Sequence, residues 1–384
     1  HPIRSKWGPS PQGTANLAPR RTTRPWRRSH ARDWRRGPRF AVPPSRRGRD
    51  GEANATAQRD GRHYSRGVTW LLTGGAGYIG SHVLRSLRDS GREVVVLDDL
   101  STGIAARVPQ GVPLIQGSLA DRTLVEETLR NHQVTGVVHL AAKKAVGESV
   151  EKPLWYYREN VDGILSLLEA MREVGVGCMV YSSSAAVYGE PPRSPVPEDA
   201  PTAPINPYGE TKLIGEWATR DAAAVSGMSW ISLRYFNVAG AANAELADTS
   251  VANLIPIVLR NVRNDQPATV FGDDYPTPDG TCLRDYIHVV DLADAHAAAA
   301  DLVEAGPTAE VVNIGTGQGS SVLEVIGSVG RALGQDVPYG VVARRAGDPA
   351  ELVASADRAR TVLGWQARHT LDDMTASAAR AADL

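Results

Sequence analysis

Val68-Thr69-Trp70-Leu71-Leu72-Thr73-Gly74-Gly75-Ala76-Gly77-Tyr78-Ile79-Gly80 decides how the rest of the chain is read. The first six residues form a short β-rich apolar run, the kind buried on both faces of a parallel sheet. Glycines follow at once and open a helical pattern. In such a turn they permit a tight reversal, close backbone approach to a pyrophosphate and close packing of helix on strand. The helix N-terminus then faces the phosphates. Glycine turns are common, so the string gains its weight from context. Asp98 ends a second apolar run eighteen residues past Gly80. A carboxylate there accepts hydrogen bonds from an adenosine ribose and repels a 2′-phosphate, which favours NAD over NADP. Asp99 adds negative charge, and no arginine close by in the sequence welcomes a phosphate.

The alternation continues along the chain. Apolar runs at Val68–Thr73, Val94–Leu97, Leu114–Gln116, Val137–Leu140, Met179–Ser182, Trp230–Leu233 and Val311–Ile314 are separated by helical stretches such as Leu124–Asn131 and Val161–Glu173. This order predicts an α/β fold with a doubly wound parallel sheet. Past Gly240 the pattern loosens, with Pro-containing loops at Tyr275–Gly280 and Gly347–Pro349. Residues 68–237 plus 287–316 are expected to form the dinucleotide-binding domain. Residues 238–286 plus 317–384 are expected to form a smaller lobe, with the ligand in the crevice between them.

The 384 residues carry a net charge of -1 that conceals a division. Residues 1–67 carry +13 and the remainder -14. The first segment is rich in Arg, Pro, Gly and Ser and has no apolar period, so it is expected to be disordered. A basic tail of this kind suits an anionic partner. Its bias also fits G+C-rich DNA translated upstream of the true start, and the natural start is expected at Val68. No run of about eighteen apolar residues exists, which leaves no candidate for a transmembrane helix. The two cysteines, Cys178 and Cys282, make neither a disulfide framework nor a metal cluster, and point to a reducing, cytoplasmic setting.

Tyr208-Gly209-Glu210-Thr211-Lys212 sets Tyr and Lys four apart, on one face of a helix. Ser182-Ser183-Ser184 ends the fifth run, at the carboxyl edge where such sheets bind ligands. A phenol of pKa ~10 needs a downward shift of roughly three units, about 4 kcal/mol, to act as a base at neutrality. One cation at ~6 Å supplies only about 3 kcal/mol at an effective dielectric near 20. Two positive charges are therefore wanted: the Lys212 ammonium and an oxidised nicotinamide ring. Together they would poise Tyr208 to take a hydroxyl proton.

Thr73–Gly80, Lys144–Pro153, Ser182–Gly189, the Tyr208/Lys212 pair, Tyr235-Phe236-Asn237 and Gly280–His288 resemble the extended short-chain dehydrogenase/reductase family. Within it they are most similar to the UDP-glucose 4-epimerases, over essentially all of residues 68–384. The resemblance implies a Rossmann-type sheet with a smaller C-terminal substrate-binding lobe, tightly held NAD, a UDP-sugar substrate and a homodimer. It implies that Tyr208 is the acid/base, that Lys212 orients the nicotinamide ribose and lowers the Tyr208 pKa, and that Ser184 bonds the reacting sugar oxygen. By the same resemblance the cofactor contacts are Gly74, Gly77, Tyr78, Ile79, Gly80, Asp98, Ser118, Leu119, Leu140, Ala141, Ala142, Lys144, Asn160, Tyr208, Lys212 and Phe236. The UDP end falls to Asn237, Asn253, Leu254, Phe271, Arg284, Arg345 and Asp348, with Ser184 at the sugar. Guanidinium groups suit a diphosphate, and an aromatic face with amides suits uracil. The plain alternative for Arg284 is an ion pair with its neighbour Asp285.

The implied reaction inverts C4 of a UDP-hexose through a 4-keto intermediate that turns about its bond to UDP. Three positions depart from the family's pattern. Ser118 stands where an Asp usually contacts adenine, Ala186 replaces a common Thr, and Leu352 lies where the residue beside the C2 substituent varies. UDP-N-acetylhexosamines and UDP-pentoses therefore stay open as substrates. A 4,6-dehydratase would need an acid/base pair where Ala185 and Ala186 stand. From another class, a non-catalytic NAD-binding regulator would not need the intact Ser184, Tyr208 and Lys212. A nucleic-acid role would rest on residues 1–67 alone and is not expected.

Overall fold

The computed structural model describes residues 68–250, 253–345 and 348–384. The expectation for residues 1–67 lies outside the described residues, as does Gly347 of one expected loop. The strands run in chain order as β1 (Thr69–Thr73), β2 (Glu93–Asp98), β3 (Leu114–Gln116), β4 (Val134–His139), β5 (Cys178–Ser184), β6 (Ser229–Tyr235) and β7 (Asn237–Ala239). They continue as β8 (Ala268–Phe271), β9 (Leu283–His288), β10 (Ala309–Ile314), β11 (Gly319–Ser321), β12 (Tyr339–Val342) and β13 (Glu351–Leu352). The helices are α1 (Tyr78–Asp89), α2 (Arg122–Asn131), α3 (Val146–Glu151), α4 (Pro153–Tyr156), α5 (Gly163–Val174) and α6 (Pro207–Ser226). After these come α7 (Leu254–Arg263), α8 (Val289–Ala305), α9 (Val322–Leu333), α10 (Asp357–Leu363) and α11 (Leu371–Ala381).

All seven apolar runs read from the sequence enter one sheet, in the order β10-β6-β5-β4-β1-β2-β3. Every pairing in it is parallel. The two faces are covered by different helices, which is why these strands are apolar throughout rather than alternating. On one face Trp70, Leu72, Val96, Val138 and Val180 pack with α1 and with the alanine-rich α8 (Ala293, Ala295, Ala299, Ala300). On the other, Leu71, Val95, Val137 and Met179 pack with Leu129 of α2 and Ile164, Leu167 and Met171 of α5. The order reverses between β1 and β4, so the carboxyl ends of these two strands open a crevice, the usual seat of a ligand in such sheets.

Most of the later elements have a core of their own. The exception is α10: its Ala359 and Val362, with Trp365 just beyond it, pack with the large sheet and so depart from the smaller lobe expected of 317–384. Ile255, Val258 and Leu259 of α7 pack with Val325, Ile326 and Val329 of α9 and with Met374 of α11. Around it, β7, β11 and β13 pair with β9, and β8 pairs with β12. Tyr275–Gly280 lies outside any strand or helix, as its prolines suggest. No described helix is long and apolar enough to cross a membrane, and Cys178 and Cys282 are both free thiols.

Candidate active site

A cavity of about 670 Å³ lies at the crevice. Its floor is the glycine turn. Gly74 has φ +73, and a Cβ there would stand 2.8 Å from Ala141 N at the end of β4. A Cβ on Gly80 would stand 2.0 Å from the Gly74 carbonyl oxygen. Strand, turn and helix therefore touch through bare backbone, which only glycine permits. The α1 N-cap, Gly77, makes no side-chain cap bond, so the first-turn N–H groups are left for an anion.

Gly74, Gly77, Tyr78, Ile79, Gly80, Asp98, Ser118, Leu119, Leu140, Ala141, Ala142 and Lys144 all line this cavity. Asp98 is buried, and its two oxygens accept from Ala76 N and Leu100 N, each at 2.9 Å. Burial still outweighs those bonds and pushes its carboxyl upward. Ser118 is exposed, and its hydroxyl accepts from Ala120 N at 3.2 Å. Lys144 is exposed, with its Nζ 6.0 Å from the centroid of the Tyr78 ring. Its neighbour Lys143 is the cation with partners: its Nζ donates to Ser101 Oγ at 2.7 Å and lies 3.4 Å from Asp99 Oδ2. Asn160 stands behind the wall rather than in it. Its Oδ1 accepts from Lys143 N at 2.8 Å, while its Nδ2 donates to Lys143 O and Thr211 Oγ1, both at 3.0 Å. Phe236 is also outside the lining and packs with Val187, Tyr188 and Leu213. Tyr235 takes the place on the wall instead.

One expectation is corrected here. Arg107 lines the cavity, so the site is not without an arginine. Its guanidinium donates to Glu245 O and Ala247 O, partners some 140 residues distant, and no local sequence signal announces them.

The residues expected to react meet where β5 ends. Asn206 caps α6 by accepting from Gly209 N at 2.9 Å, and Pro207 holds the first helical position. Tyr208 thus lies in the first turn and Lys212 one turn later. Lys212 is buried, and its Nζ donates to the Ser182 carbonyl at 2.8 Å. Ser184 caps the short 3-10 turn Ala185–Tyr188 by accepting from Ala186 N at 3.2 Å. Ser182 and Ser183 are engaged with Tyr235 OH and Glu216. Behind Lys212, Glu216 and Arg234 form a buried forked ion pair at 2.6 and 2.8 Å.

The titration of this pair differs from the expectation. Burial raises the Tyr208 phenol above its ordinary value, and hydrogen bonding by Ser184 pulls it back only in part. Lys212 is not among the groups acting on the phenol, and it is itself desolvated. Burial pulls the ammonium down to about 7, and the Glu216 carboxylate works against that. A phenolate here needs a further positive charge.

The residues expected at the UDP end fall into two groups. Arg284, on β9, donates to Asp348 Oδ1 at 2.8 Å and to Leu283 O. The Asp285 alternative does not form: Asp285 is fully buried and accepts from Thr316, Gly317 and Ala354 backbone N–H groups. Arg345 stacks 3.8 Å above the Phe271 ring at the end of β8, and Asp348 N donates to Arg345 O. Asn237 joins this group through register, since β7 pairs it with Tyr286 of β9. Asn253 and Leu254 sit apart at the start of α7, where Asn253 Nδ2 donates to Asp248 Oδ2 at 2.6 Å.

With this geometry described, comparison with known proteins is informative. The profile of the NAD dependent epimerase/dehydratase family matches residues 70–315. The UDP-glucose 4-epimerase of Azospirillum brasilense is 48% identical over 313 residues, 80% of this chain and 90% of that protein. That of Bacillus subtilis is 44% identical over 323 residues, 81% of this chain and 95% of its own. Among solved structures, the UDP-glucose-4-epimerase of Stenotrophomonas maltophila with bound NAD and formylated UDP-arabinopyranose superposes with TM-score 0.79 at 40% identity. It covers 82% of this chain and 98% of that one. The Bifidobacterium longum enzyme in complex with NAD+ and UDP gives 0.77 at 39%, with coverage of 82% and 98%. A glycine cradle at the sheet's switch point, a Tyr208–Lys212 helix beside a serine-ended strand, and these matches over most of each relative together decide the assignment: the chain belongs to the NAD dependent epimerase/dehydratase family, alongside the UDP-glucose 4-epimerases.

Proposed function

We propose that the protein inverts C4 of a UDP-hexose, interconverting UDP-glucose and UDP-galactose with NAD as a resident cofactor. The observation that carries this reading is the convergence of Ser184, Tyr208 and Lys212 at the end of β5, next to β4, whose chain continues into the cavity wall at Leu140. The cavity fits a dinucleotide: its volume is ample, its floor is bare backbone, and α1 presents unpaired N–H groups at its phosphate end. Residues 68–237 and 287–316 would carry the cofactor; 238–286 and 317–384 would carry the UDP end.

When bound, NAD accepts the C4 hydrogen with its electron pair and returns it. Everything else is work for the chain. Tyr208 takes the proton of the 4-hydroxyl and gives it back after the sugar has turned. Ser184 orients the sugar oxygen and shares a hydrogen bond with the phenol. Lys212, fixed on the Ser182 carbonyl, would hold the nicotinamide ribose, and Tyr208 would gain from an oxidised ring the positive charge it lacks. Arg284 and Arg345 hold the diphosphate, with Phe271 against the base, so the nucleotide stays anchored while the hexose rotates.

We further infer a cytoplasmic homodimer. Leu154 (73% exposed), Trp155, Leu165 and Trp217 leave an apolar surface on α4, α5 and α6 that suits a two-fold partner. The two free thiols suit a reducing compartment. The test is incubation with UDP-galactose, with product read as UDP-glucose by chromatography. Conversion is expected from the unaltered protein and not from Tyr208→Phe; absence of conversion by the unaltered, NAD-loaded protein would refute the reading.

A further inference from the structure

Arg107 is a buried cation of the cavity wall that the reaction leaves unused. It closes the 3-10 turn Ala105–Arg107 after β2 and is only 3% exposed. A buried guanidinium needs acceptors for its donors. Here it has main-chain carbonyls: Nη2 donates to Ala247 O at 2.6 Å, and Nε to Glu245 O at 3.2 Å. Both belong to the segment between β7 and α7. That segment is fastened twice more from α1. Tyr78 OH donates to Gly240 O at 2.6 Å, and Ala242 N donates to His82 Nε2 at 3.1 Å.

Asp248, Thr249 and Ser250 follow directly after the last of these four fastenings, and they form part of the cavity wall that Arg107 also lines. Asp248 is itself tied down by Asn253 Nδ2 and by Ser250 N. The wall has no strand or helix of its own between Ala247 and Ser250. Its position therefore depends on side chains reaching across from the strand β2 and helix α1 region.

We propose that Arg107 is a cofactor-retention residue: by gripping the carbonyls of residues 245 and 247 it holds the 248–250 wall over the bound dinucleotide and sets the rate of its escape. The proposal rests on the NAD reading above. A ligand enclosed in a cavity leaves when a wall opens, and local opening costs the bonds that hold the wall shut. Arg107 supplies two of these bonds, beside those made by Tyr78, His82 and Ser377, and both are charge-assisted and therefore the stronger kind. Lysine at this position would keep the charge and lose the fork.

The experiment loads the full chain with radiolabelled NAD, removes the excess, and chases with unlabelled NAD while bound label is counted. Backbone amide exchange over residues 240–250 is followed in parallel. R107A is expected to release label about tenfold or more faster, as befits the loss of hydrogen bonds from a charged donor. R107K is expected to fall between, with faster amide exchange in both variants confined to 240–250. Unchanged release from R107A, with label held by the unaltered protein, overturns the proposal and leaves the NAD reading standing. Should R107A not fold, the same comparison is made with R107K, and unchanged release from it overturns the proposal. No NAD held by the unaltered protein, whether as label or as dinucleotide released on denaturation, refutes the NAD reading, and the proposal falls with it.

Discussion

Four buried histidines make stability acutely sensitive to mild acid. His82, His139, His288 and His296 are each at most 3% exposed. Burial pulls His82, His288 and His296 down to about 4 and His139, which also feels Lys212, to about 3. An unfolded chain protonates the same rings near pH 6.5. Over the interval between the two values the unfolded state binds protons that the folded state refuses. Their contribution to stability is thus full above pH 6.5 and is lost as pH falls toward the folded values. Each ring contributes about 1.4 kcal/mol per pH unit in this window, and the four together lose about 7 kcal/mol between pH 7 and pH 5. That is comparable with the whole stability of a typical domain, ~5–15 kcal/mol. Asp98, Glu198 and Asp285, whose carboxyls burial pushes up, act in the opposite sense nearer the acid end. The assay is urea unfolding of the NAD-loaded protein, followed by far-UV circular dichroism at a series of pH values. His296→Phe isolates one ring, since among the described residues His296 Nε2 has no hydrogen-bond partner and Nδ1 reaches only Leu292 O of the same helix. That variant is expected to flatten the slope by about a quarter, its share of four equal proton linkages. Stability that stays level from pH 7 to pH 5, or an unaltered slope in the variant, would show that these rings are not held neutral as described.

Three substitutions test the site directly. Glu216→Gln leaves the buried Arg234 guanidinium without its counter-charge, at a cost of about 3–5 kcal/mol read as a lower urea midpoint. It also removes the charge that supports the Lys212 ammonium, so activity is expected to decline at a lower pH on the alkaline side; a limb that moved upward would contradict this. Gly80→Ala drives a Cβ to 2.0 Å from the Gly74 carbonyl and parts helix from strand. Purified protein is expected to carry little dinucleotide by absorbance after denaturation, with a stability loss of about 1–3 kcal/mol. Arg284→Ala is expected to raise KM for the UDP-sugar about 10–100-fold, the value of a hydrogen bond from a charged donor, with a smaller effect on kcat.

Much of this was legible in the chain because its signals are local. The strands β1, β2, β4, β5, β6 and β10 each begin or end within about three residues of the apolar runs that announce them, several of the differences being polar residues such as Glu93, Asp98 and Ser183 that carry the ladder past the apolar core. The glycine positions of the cradle are fixed by backbone contact, which leaves a mark in sequence at every point of closest approach. Long-range partnerships leave none. Nothing near Arg107 foretells the carbonyls of residues 245 and 247, and nothing near Arg234 foretells Glu216. Lys143 and Lys144 look alike in sequence. Only the fold puts the first against Asp99 and leaves the second exposed. The direction of the Tyr208 shift was likewise out of reach, since it depends on how much water the folded crevice removes from both phenol and ammonium.

The seam between β5 and α6 is polar where most of the molecule's seams are greasy. The Ser183 hydroxyl meets Glu216, the Ser184 hydroxyl meets Tyr208, and Lys212 meets the Ser182 carbonyl. Such joints are short-ranged and directional, and they lose strength with a few tenths of an ångström of misalignment, whereas the hydrophobic layers on either face of the sheet tolerate slippage. On warming, the aim of residues 208 and 212 would drift while the sheet still holds, so turnover would fade before the molecule melts.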